Sequence, residues 1–426
     1  MPNTTETDER FNFLAFFVDA VGWPLGMSFL SPKTILPYYV RQLTTSNVAI
    51  GAIPALSLFG ALVPQILAAP ASERRPVQRR FVLWVALVER LPYLVLALAT
   101  YLLGFRAPSL LQTIFLLSLA ANAVCMGLNI PAYTTLVSKV IRPQRRGRLF
   151  GMGNGVSGVL AFGGAALSGW LLSAYPPRVA FSLCFLLGFL VLLVTVLPLG
   201  FVREPRSPVP AEHEPFSDYL RGSLKLLRDD PQYARFLASQ VLLSLSGIAS
   251  SFYTVHAMDR FRISGERGAE IGLFTMALML STVVGGFLWG HVGDQRGNRV
   301  LLALGTVSIA VLSLGVLWAP TVAIFTAMFF LSGLATSALD LASFNIVMEF
   351  SPEGRVPTYS ALRATVIAPV ACASLAAGRL TDLWMDRWGY APLFLFAAVC
   401  ATLSLLLLSR VREPRHERVP APSVLS

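Results

Sequence analysis

The sequence predicts an all-α integral membrane protein with about twelve transmembrane helices, arranged as two bundles of six. Its composition is 55% hydrophobic and only 13% charged, whereas about a quarter of the residues in a soluble domain are charged. Its apolar runs recur with lengths of roughly twenty residues, which a helix needs to cross a hydrocarbon core of about 30 Å. One long polar interval, residues 203–232, divides these runs into two sets of six.

Each predicted span is one continuous apolar run. Transmembrane β-strands show shorter segments of alternating hydrophobicity, so the runs favour helices. The predicted spans cover residues 12–40, 47–69, 81–104, 109–137, 149–174, 179–202, 233–258, 268–290, 300–318, 321–348, 357–378 and 391–410.

The predicted domains follow from this division. Residues 1–202 form the N-terminal six-helix bundle, residues 203–232 a cytoplasmic linker, residues 233–410 the C-terminal six-helix bundle, and residues 411–426 a cytoplasmic tail. The first part of the linker is rich in proline and charge, which is typical of an extended connection. Its second part has leucines at helical spacing beside basic residues, which suits an amphipathic helix on the membrane and equally a solvated helix.

Two loops suggest that the halves arose by duplication. The segment VIRPQRRGRLFG follows the fourth span and EFSPEGRVPTYS follows the tenth. A duplicated six-helix unit is typical of several secondary transporters, whose substrate site lies near the midplane between the repeats. The positions that coincide at one fixed offset are Pro143 and Pro352, Arg146 and Arg355, and Phe150 and Tyr359.

The basic residues predict the orientation. An even number of spans places both termini on one side, and the side richer in Lys and Arg is cytoplasmic. Most of the 34 Lys and Arg lie on the side of the termini, in residues 74–80, 139–148, 203–235 and 410–418. We expect a plasma (inner) membrane protein that keeps its N-terminus, since its polar head runs directly into a span. The net charge of +11 then indicates contact with anionic lipid headgroups and not with nucleic acid.

Cysteine and histidine give no sign of a metal or cofactor. All four cysteines lie inside predicted spans, where they act as small apolar residues, so we expect no disulfide. The four histidines are dispersed without metal-ligand spacing. The chain also lacks the G-x-x-x-x-G-K-[ST] loop of nucleotide-driven pumps.

The stretch GHVGDQRGNR, residues 290–299, holds one Asp, two Arg and three Gly between two apolar runs. It connects predicted spans eight and nine, and its G-x-x-x-D-x-x-G-x-R pattern resembles the loop signature of the major facilitator superfamily. The corresponding loop of the first half, APASERRPVQRR, is similar to a degenerate copy, in which Glu73 supplies the acid, Arg74 a base, and Pro76 replaces the second glycine. The residues of the complete pattern are Gly290, Asp294, Gly297 and Arg299, with Arg296 beside them.

This resemblance implies two six-helix halves and a secondary active transporter that works by alternating access. It also implies that Asp294 holds the cytoplasmic side shut when the opposite side is open. The expected partner of Asp294 is Arg296 or Arg299, or the positive N-terminal end of the fifth span. Glu73 and Arg74 are expected to act in the same way against span eleven. The residues alone also allow a loop that only fixes the topology.

Few charged side chains lie inside the predicted spans, and such groups are costly and usually functional. Counted at about 1.5 Å per residue, four of them lie roughly 9–14 Å from the cytoplasmic ends of their helices. At one common depth, they form either a buried ion-pair network or the lining of a cavity. The four are Asp19, Glu89, Asp340 and Arg363, and the others within spans are Lys33 and Arg90.

Asp19 is the main candidate for proton coupling, because a carboxylate in a partly dry cavity can bind and release a proton during a cycle. The alternative is a structural pair with Arg90 or Arg363 that keeps it ionised. Asn129, beside Pro131 in GLNIPAYTTL, is placed to hydrogen-bond a solute at a kink, or else is satisfied by a neighbouring helix.

These observations together predict a monomeric, proton-coupled transporter of a small solute, with no enzymatic activity. Sparse charge in the spans favours an uncharged, amphipathic or hydrophobic solute. One alternative is a non-transporting sensor or scaffold on the same fold. Another is a lipid-modifying membrane enzyme, for which the sequence offers neither a nucleophile with its base nor a metal-ligand set.

Overall fold

The computed structural model describes residues 6–73, 75–206, 227–351 and 356–412. Within these ranges the chain is built from α-helices joined by short connections. Numbered in chain order, the helices are α1 Glu6–Met27, α2 Ile35–Leu43, α3 Asn47–Glu73, α4 Arg79–Leu103, α5 Pro108–Val140, α6 Pro143–Ala174, α7 Pro177–Val196, α8 Pro231–Gly247, α9 Ser250–Phe261, α10 Ala269–Arg296, α11 Asn298–Trp318, α12 Val322–Phe350, α13 Val356–Ile367, α14 Val370–Trp388 and α15 Ala391–Ser409.

Among the described residues, 11 helical segments are long and apolar enough to cross a membrane. The pair α1 and α2 covers the first predicted span, residues 12–40. Of this pair, α1 packs against α6 and α7, and α2 packs against α5 and α9. The predicted all-α membrane fold with two bundles of six is therefore confirmed.

Three of the predicted spans are broken near their middle, at residues 28–34, 248–249 and 368–369. Pro32 and Pro369 lie in two of these breaks. Proline has no amide hydrogen to donate to a helical hydrogen bond, and it disfavours a helical conformation in the residue before it. The first break leaves backbone groups that bond to the second half of the molecule, as described below.

We call the end of the bundle that carries both described chain ends the terminal side, and the opposite end the far side. At the terminal side of the first half, Arg203 contacts Asp8. At the terminal side of the second half, the amide of Arg412 donates to Oε1 of Gln232 at 3.3 Å. The halves meet mainly through two helix pairs, α6 with α10 and α3 with α14.

The pair α6 and α10 touches at the far side and diverges at the terminal side. A Cβ added at Gly169 on α6 would lie 2.7 Å from the Cα of Gly272 on α10. By contrast, a Cβ added at Gly151 or at Gly290, toward the terminal side, would meet nothing within 4 Å. Small residues permit the close approach of the two backbones at the far side.

The buried apolar side chains show the same asymmetry. One large cluster contains Tyr39 of the first half together with Phe252 and Phe394 of the second. Toward the terminal side each half has a cluster of its own, around Phe16 in the first and Tyr233 in the second. The halves therefore share a core at the far side and are separated by open space at the terminal side.

Several predicted features lie outside the described residues. They are the middle of the linker, residues 207–226, with its amphipathic helix, and the tail from residue 413 onward. The repeat positions Pro352 and Arg355 also lie outside them. These features stay predictions.

Candidate functional site

Two adjoining cavities lie at the centre of the molecule. One of about 440 Å³ lies within the first half, between α1, α4, α5 and α6. The other, of about 400 Å³, lies between the halves, where α6 faces α10 and α12. Pro24 and Asn154 line both. We therefore treat the two as one space, lined by both halves, and take it as the candidate functional site.

Asp19 on α1 is buried at the wall of the first cavity. Its Oδ2 accepts a hydrogen bond from the hydroxyl of Tyr133 at 2.9 Å. Its Oδ1 lies 3.9 Å from an Nη of Arg90, at the outer limit of an ion pair. No specific partner for Tyr133 is predicted from the sequence. Its position on the same face of α5 as Asn129, four residues earlier, is the signal that could have linked the two.

Arg90 on α4 is held in place by backbone oxygens. Its Nε donates to the carbonyl of Leu192 at 2.8 Å, and Nη1 donates to that of Ala86 at 2.6 Å. The guanidinium also lies 6.0 Å from the ring centre of Trp23, within range of a cation–π interaction. These bonds fix the guanidinium at the back of the cavity, so its distance to nearby acids is set by the helices.

Glu89, the neighbour of Arg90, brings a second carboxylate to the same guanidinium. Its Oε2 lies 3.8 Å from Nη1 of Arg90, and Asn129 Nδ2 donates to that oxygen at 3.4 Å. The side-chain oxygen of Asn129 has no hydrogen-bond partner among the described residues, although Asn129 lines the cavity. We call Asp19, Glu89, Arg90 and Asn129 the first wall. It holds two carboxylates and one guanidinium.

The second wall is formed around α12. Asp340 lines the cavity between the halves, and its side chain is exposed to that cavity. Lys33 and Arg363 both interact electrostatically with it. Arg363 also donates to Oε1 of Gln240 at 3.2 Å. We call Asp340, which lines the cavity, together with Lys33 and Arg363 behind it, the second wall. The residues that the sequence grouped by depth thus lie in two clusters on opposite walls.

Lys33 lies in the break between α1 and α2 and reaches from the first half into the second. Its Nζ donates to Oγ1 of Thr336 at 2.6 Å. Its backbone carbonyl accepts from Oγ1 of Thr254 at 2.5 Å. The sequence placed Lys33 inside a span but gave it no role. Pro32 directly before it, which indicates the break, is the signal that was available.

Further polar contacts close the far side. Arg41 on α2 pairs with Asp259 on α9 at 3.1 Å and also contacts Tyr390. The hydroxyl of Tyr390 donates to Asp259 at 2.6 Å. Burial raises the pKa of Tyr390 above its ordinary value, so the phenol stays protonated and remains a donor. Asp382 on α14 accepts from the backbone amide of Asn47 at 2.7 Å, so it caps the N-terminus of α3 from the other half.

The motif loop lies at the terminal side. Gly297 ends α10 with a φ of 86°, a conformation that residues with a side chain rarely adopt. Arg299 donates to the carbonyl of Ser409 at 2.8 Å, while Arg296 is exposed. As noted above, Gly290 faces open space. The loop is therefore attached to α15 of its own half.

The two gating loops carry the acids Glu73 and Asp294. Arg74 lies outside the described residues, and so do the side chains of Glu73 and Asp294. Their gating role stays a prediction. Asn298, between the second glycine and the arginine of the motif, is buried and donates to Oε1 of Glu349 on α12 at 2.7 Å.

The sequence profile of the Major Facilitator Superfamily matches residues 13–268 and again residues 241–425, and so nearly the whole chain. The chain belongs to the Major Facilitator Superfamily. An uncharacterized protein of Mycobacterium tuberculosis (strain H37Rv) is 22% identical over 308 residues, which cover 70% of this chain. The aligned part spans only 59% of that relative's length.

Solved structures of this superfamily fold are similar over nearly the full chain. A mutant of the nucleoside transporter NupG superposes with a TM-score of 0.70 at 11% identity, over 95% of this chain and 99% of that one. A D-xylose–proton symporter superposes with a TM-score of 0.69 at 13% identity, over 96% and 99%. These similarities establish the fold. The protein is an integral membrane protein with the architecture of secondary transporters of small solutes.

Proposed function

We propose that this member of the Major Facilitator Superfamily carries a small solute by alternating access and couples that movement to protons. The observation that carries the proposal is the central space, which is lined by charged residues of both halves, closed at the far side and open between the halves at the terminal side. A protein that is open to one side needs only a second arrangement, open to the other, to complete a transport cycle.

The first wall supports proton coupling. Its two carboxylates share one guanidinium that backbone oxygens already hold, so one negative charge is left without compensation. An uncompensated charge is costly when the helices rearrange in an apolar environment. Binding of a proton neutralises this charge. Asp19 is the proposed acceptor because, of the two carboxylates that line this cavity, its side chain is the more exposed, at 12% against 3% for Glu89.

The terminal-side loops are the proposed second closure. In the opposite arrangement, the open glycine faces of α6 and α10 meet, and the loop with Asp294, Arg296 and Arg299 comes to the start of α6. Glu73 and Arg74 take the equivalent place on the other helix pair. The positive-inside rule supports a cytoplasmic terminal side in the plasma membrane. We further propose a monomer in contact with anionic lipids.

Proton flux in proteoliposomes tests this function. Purified protein is sealed in with a pH-sensitive dye and challenged with a panel of metabolites and drugs. At least one compound is expected to move protons, and Asp19→Asn is expected to abolish proton movement while exchange of the solute remains. Asp386→Asn, an exposed carboxylate on α14, is the matched control and is expected to behave as the native chain. Solute entry without proton movement, unchanged in Asp19→Asn, would refute the coupling.

A further inference from the structure

Lys33 is a cation of the second wall to which neither the motif nor the proposed coupling assigns a role. We infer that Lys33 binds the anionic group of the solute, and that the solute is an amphipathic organic monoanion. This inference rests on the proposed transport function, because it concerns the cargo of the same central space.

The charge balance of the two walls is the first argument. The first wall has two carboxylates and one guanidinium, whereas the second has one carboxylate, Asp340, and two cations, Lys33 and Arg363. One wall therefore has one excess negative charge and the other one excess positive charge. The proposed proton compensates the first. An anion of single charge compensates the second, so that proton and solute cross together without net charge.

The surroundings of Lys33 are the second argument. An ammonium group has three N–H donors, and one of those of Lys33 goes to Thr336. Lys33 as a residue is only partly exposed, its ammonium group is enclosed by protein, and the cavity-lining carboxylate of Asp340 acts on that group electrostatically. The lining beside that carboxylate is largely apolar, with Met279, Phe287 and Leu341. A solute with one anionic group and an apolar body fits this lining.

The location of Lys33 is the third argument. Lys33 belongs to the first half, whereas Thr336 and Asp340 belong to the second. When the far side opens, the halves separate there, and the ammonium loses its hydrogen bond to Thr336 and the nearby charge of Asp340. It is then available to an anion that enters from the far side. Closure of the far side returns Asp340 as a competing anion, which favours release of the solute at the terminal side.

Ligand-induced stabilisation of the purified full-length protein tests the inference without a known substrate. The probes are phenylacetate and 4-phenylbutyrate, each with the primary amine and the alcohol of the same skeleton, and the zwitterion phenylalanine. A ligand that binds the folded protein raises its Tm according to its concentration and affinity. At least one of the acids is expected to raise the Tm, and its amine and alcohol counterparts much less.

Three variants assign the effect to this site. Lys33→Met is expected to weaken binding of the acid at least about tenfold, the equivalent of 1.4 kcal/mol, and Lys33→Arg to retain most of it. Asp340→Asn removes the competing anion and is expected to tighten binding. That opposite sign separates the inference from a general loss of folding, since a destabilised protein does not bind its ligand more tightly.

Each other result overturns the inference. Stabilisation by the amine or by phenylalanine in place of the acid shows a different solute class, and equal binding of the acid by Lys33→Met shows a different site. Absence of stabilisation by either acid rejects the monoanion. The proposed function is judged separately, by proton flux with the wide panel. A neutral solute that moves protons in that assay would support the proposed transport function and refute the inference that the solute is an anion.

Discussion

The two ends of the molecule use similar polar contacts for different purposes. At the terminal side, Glu9 pairs with Arg142 at 2.5 Å, and Glu204 pairs with Lys139 at 3.3 Å. These contacts join helices and connections of the first half only. At the far side, Arg41 of the first half pairs with Asp259 of the second, and Asp382 caps a helix of the other half.

This difference separates stability from conformational balance. A contact inside one half is present in every arrangement of the two halves, so its loss lowers the stability of all of them. A contact between the halves at the far side exists only while the far side is closed, so its loss shifts the equilibrium toward the arrangement open there.

One assay, the labelling of a single cysteine, measures how each substitution shifts the conformational equilibrium. The four native cysteines, none in a disulfide, are replaced, and a single cysteine is placed at the cavity-lining position Asn154. A membrane-impermeant thiol reagent is then added from each side. Its reaction rate from the far side is proportional to the fraction of molecules open to that side, so a change in this rate measures the shift in the equilibrium.

The largest effect is expected for Gly272→Val. A Cβ at Gly272 would lie 2.3 Å from the Cα of Gly169, and a backbone atom cannot move aside as a side chain can. Overpacking costs about 1–3 kcal/mol, so the far-side reaction rate should rise by about fivefold to more than a hundredfold. Gly163→Val on α6, where an added Cβ meets nothing within 4 Å, is the control. An unchanged far-side rate would contradict the close packing of α6 and α10.

Glu204→Ala is expected to act on stability instead. The buried carboxylate accepts from the backbone amides of Gln78 and Arg79, each at 2.8 Å, and pairs with Lys139. Loss of hydrogen bonds to a charged group costs about 1.5–3 kcal/mol. The Tm should therefore fall, while the reaction of the Asn154 reporter keeps its ratio between the two sides. Glu204→Gln, which keeps an acceptor, should lower the Tm less. A shifted reaction ratio in Glu204→Ala would argue against a contact internal to one half.

The fold could be predicted from the sequence because bilayer thickness alone fixes the length of each apolar run. The site could be predicted only in part. Asp19 and Arg90 are recognisable from the sequence as intramembrane charges, and such groups require a partner or a function. The long reach of Lys33 to Thr336 could not be foreseen, because it depends on how the two halves are placed against each other. No local pattern in the sequence encodes that arrangement.

The polar contacts at the far side could not be predicted from the sequence for the same reason. Arg41, Asp382 and Tyr390 lie outside the predicted spans, where polar and charged residues are unremarkable in a membrane protein. The structural role of these residues depends on contacts between residues more than a hundred positions apart. The loop motif marks the terminal side, whereas no sequence pattern marks the far side, at which the halves touch.

Asp382→Ala is expected to have a moderate effect on the conformational balance. It removes the acceptor of the Asn47 amide and of the Ser46 hydroxyl, at 2.7 and 3.0 Å. Loss of an N-cap costs about 1 kcal/mol, so the far-side rate should rise about fivefold. Asp386→Ala, one turn further along α14 and exposed, is the control and should have no effect. Equal changes in both variants would show that only the charge of α14 matters.

The smallest effect is expected for Asp259→Asn. The Asp259 side chain is 41% exposed, and its pair with Arg41 is therefore screened by water. Such a pair contributes about 0.5 kcal/mol, so the far-side rate should rise about twofold, and high salt should raise the rate of the native chain toward that of the variant. Glu270→Gln is the matched control, because Glu270 pairs with Arg267 at 2.5 Å within the second half. If both substitutions changed the rate equally, the distinction between contacts within a half and contacts between halves would fail. A rise in Asp259→Asn alone would show that even a weak, solvent-exposed pair shifts the equilibrium when it joins the halves.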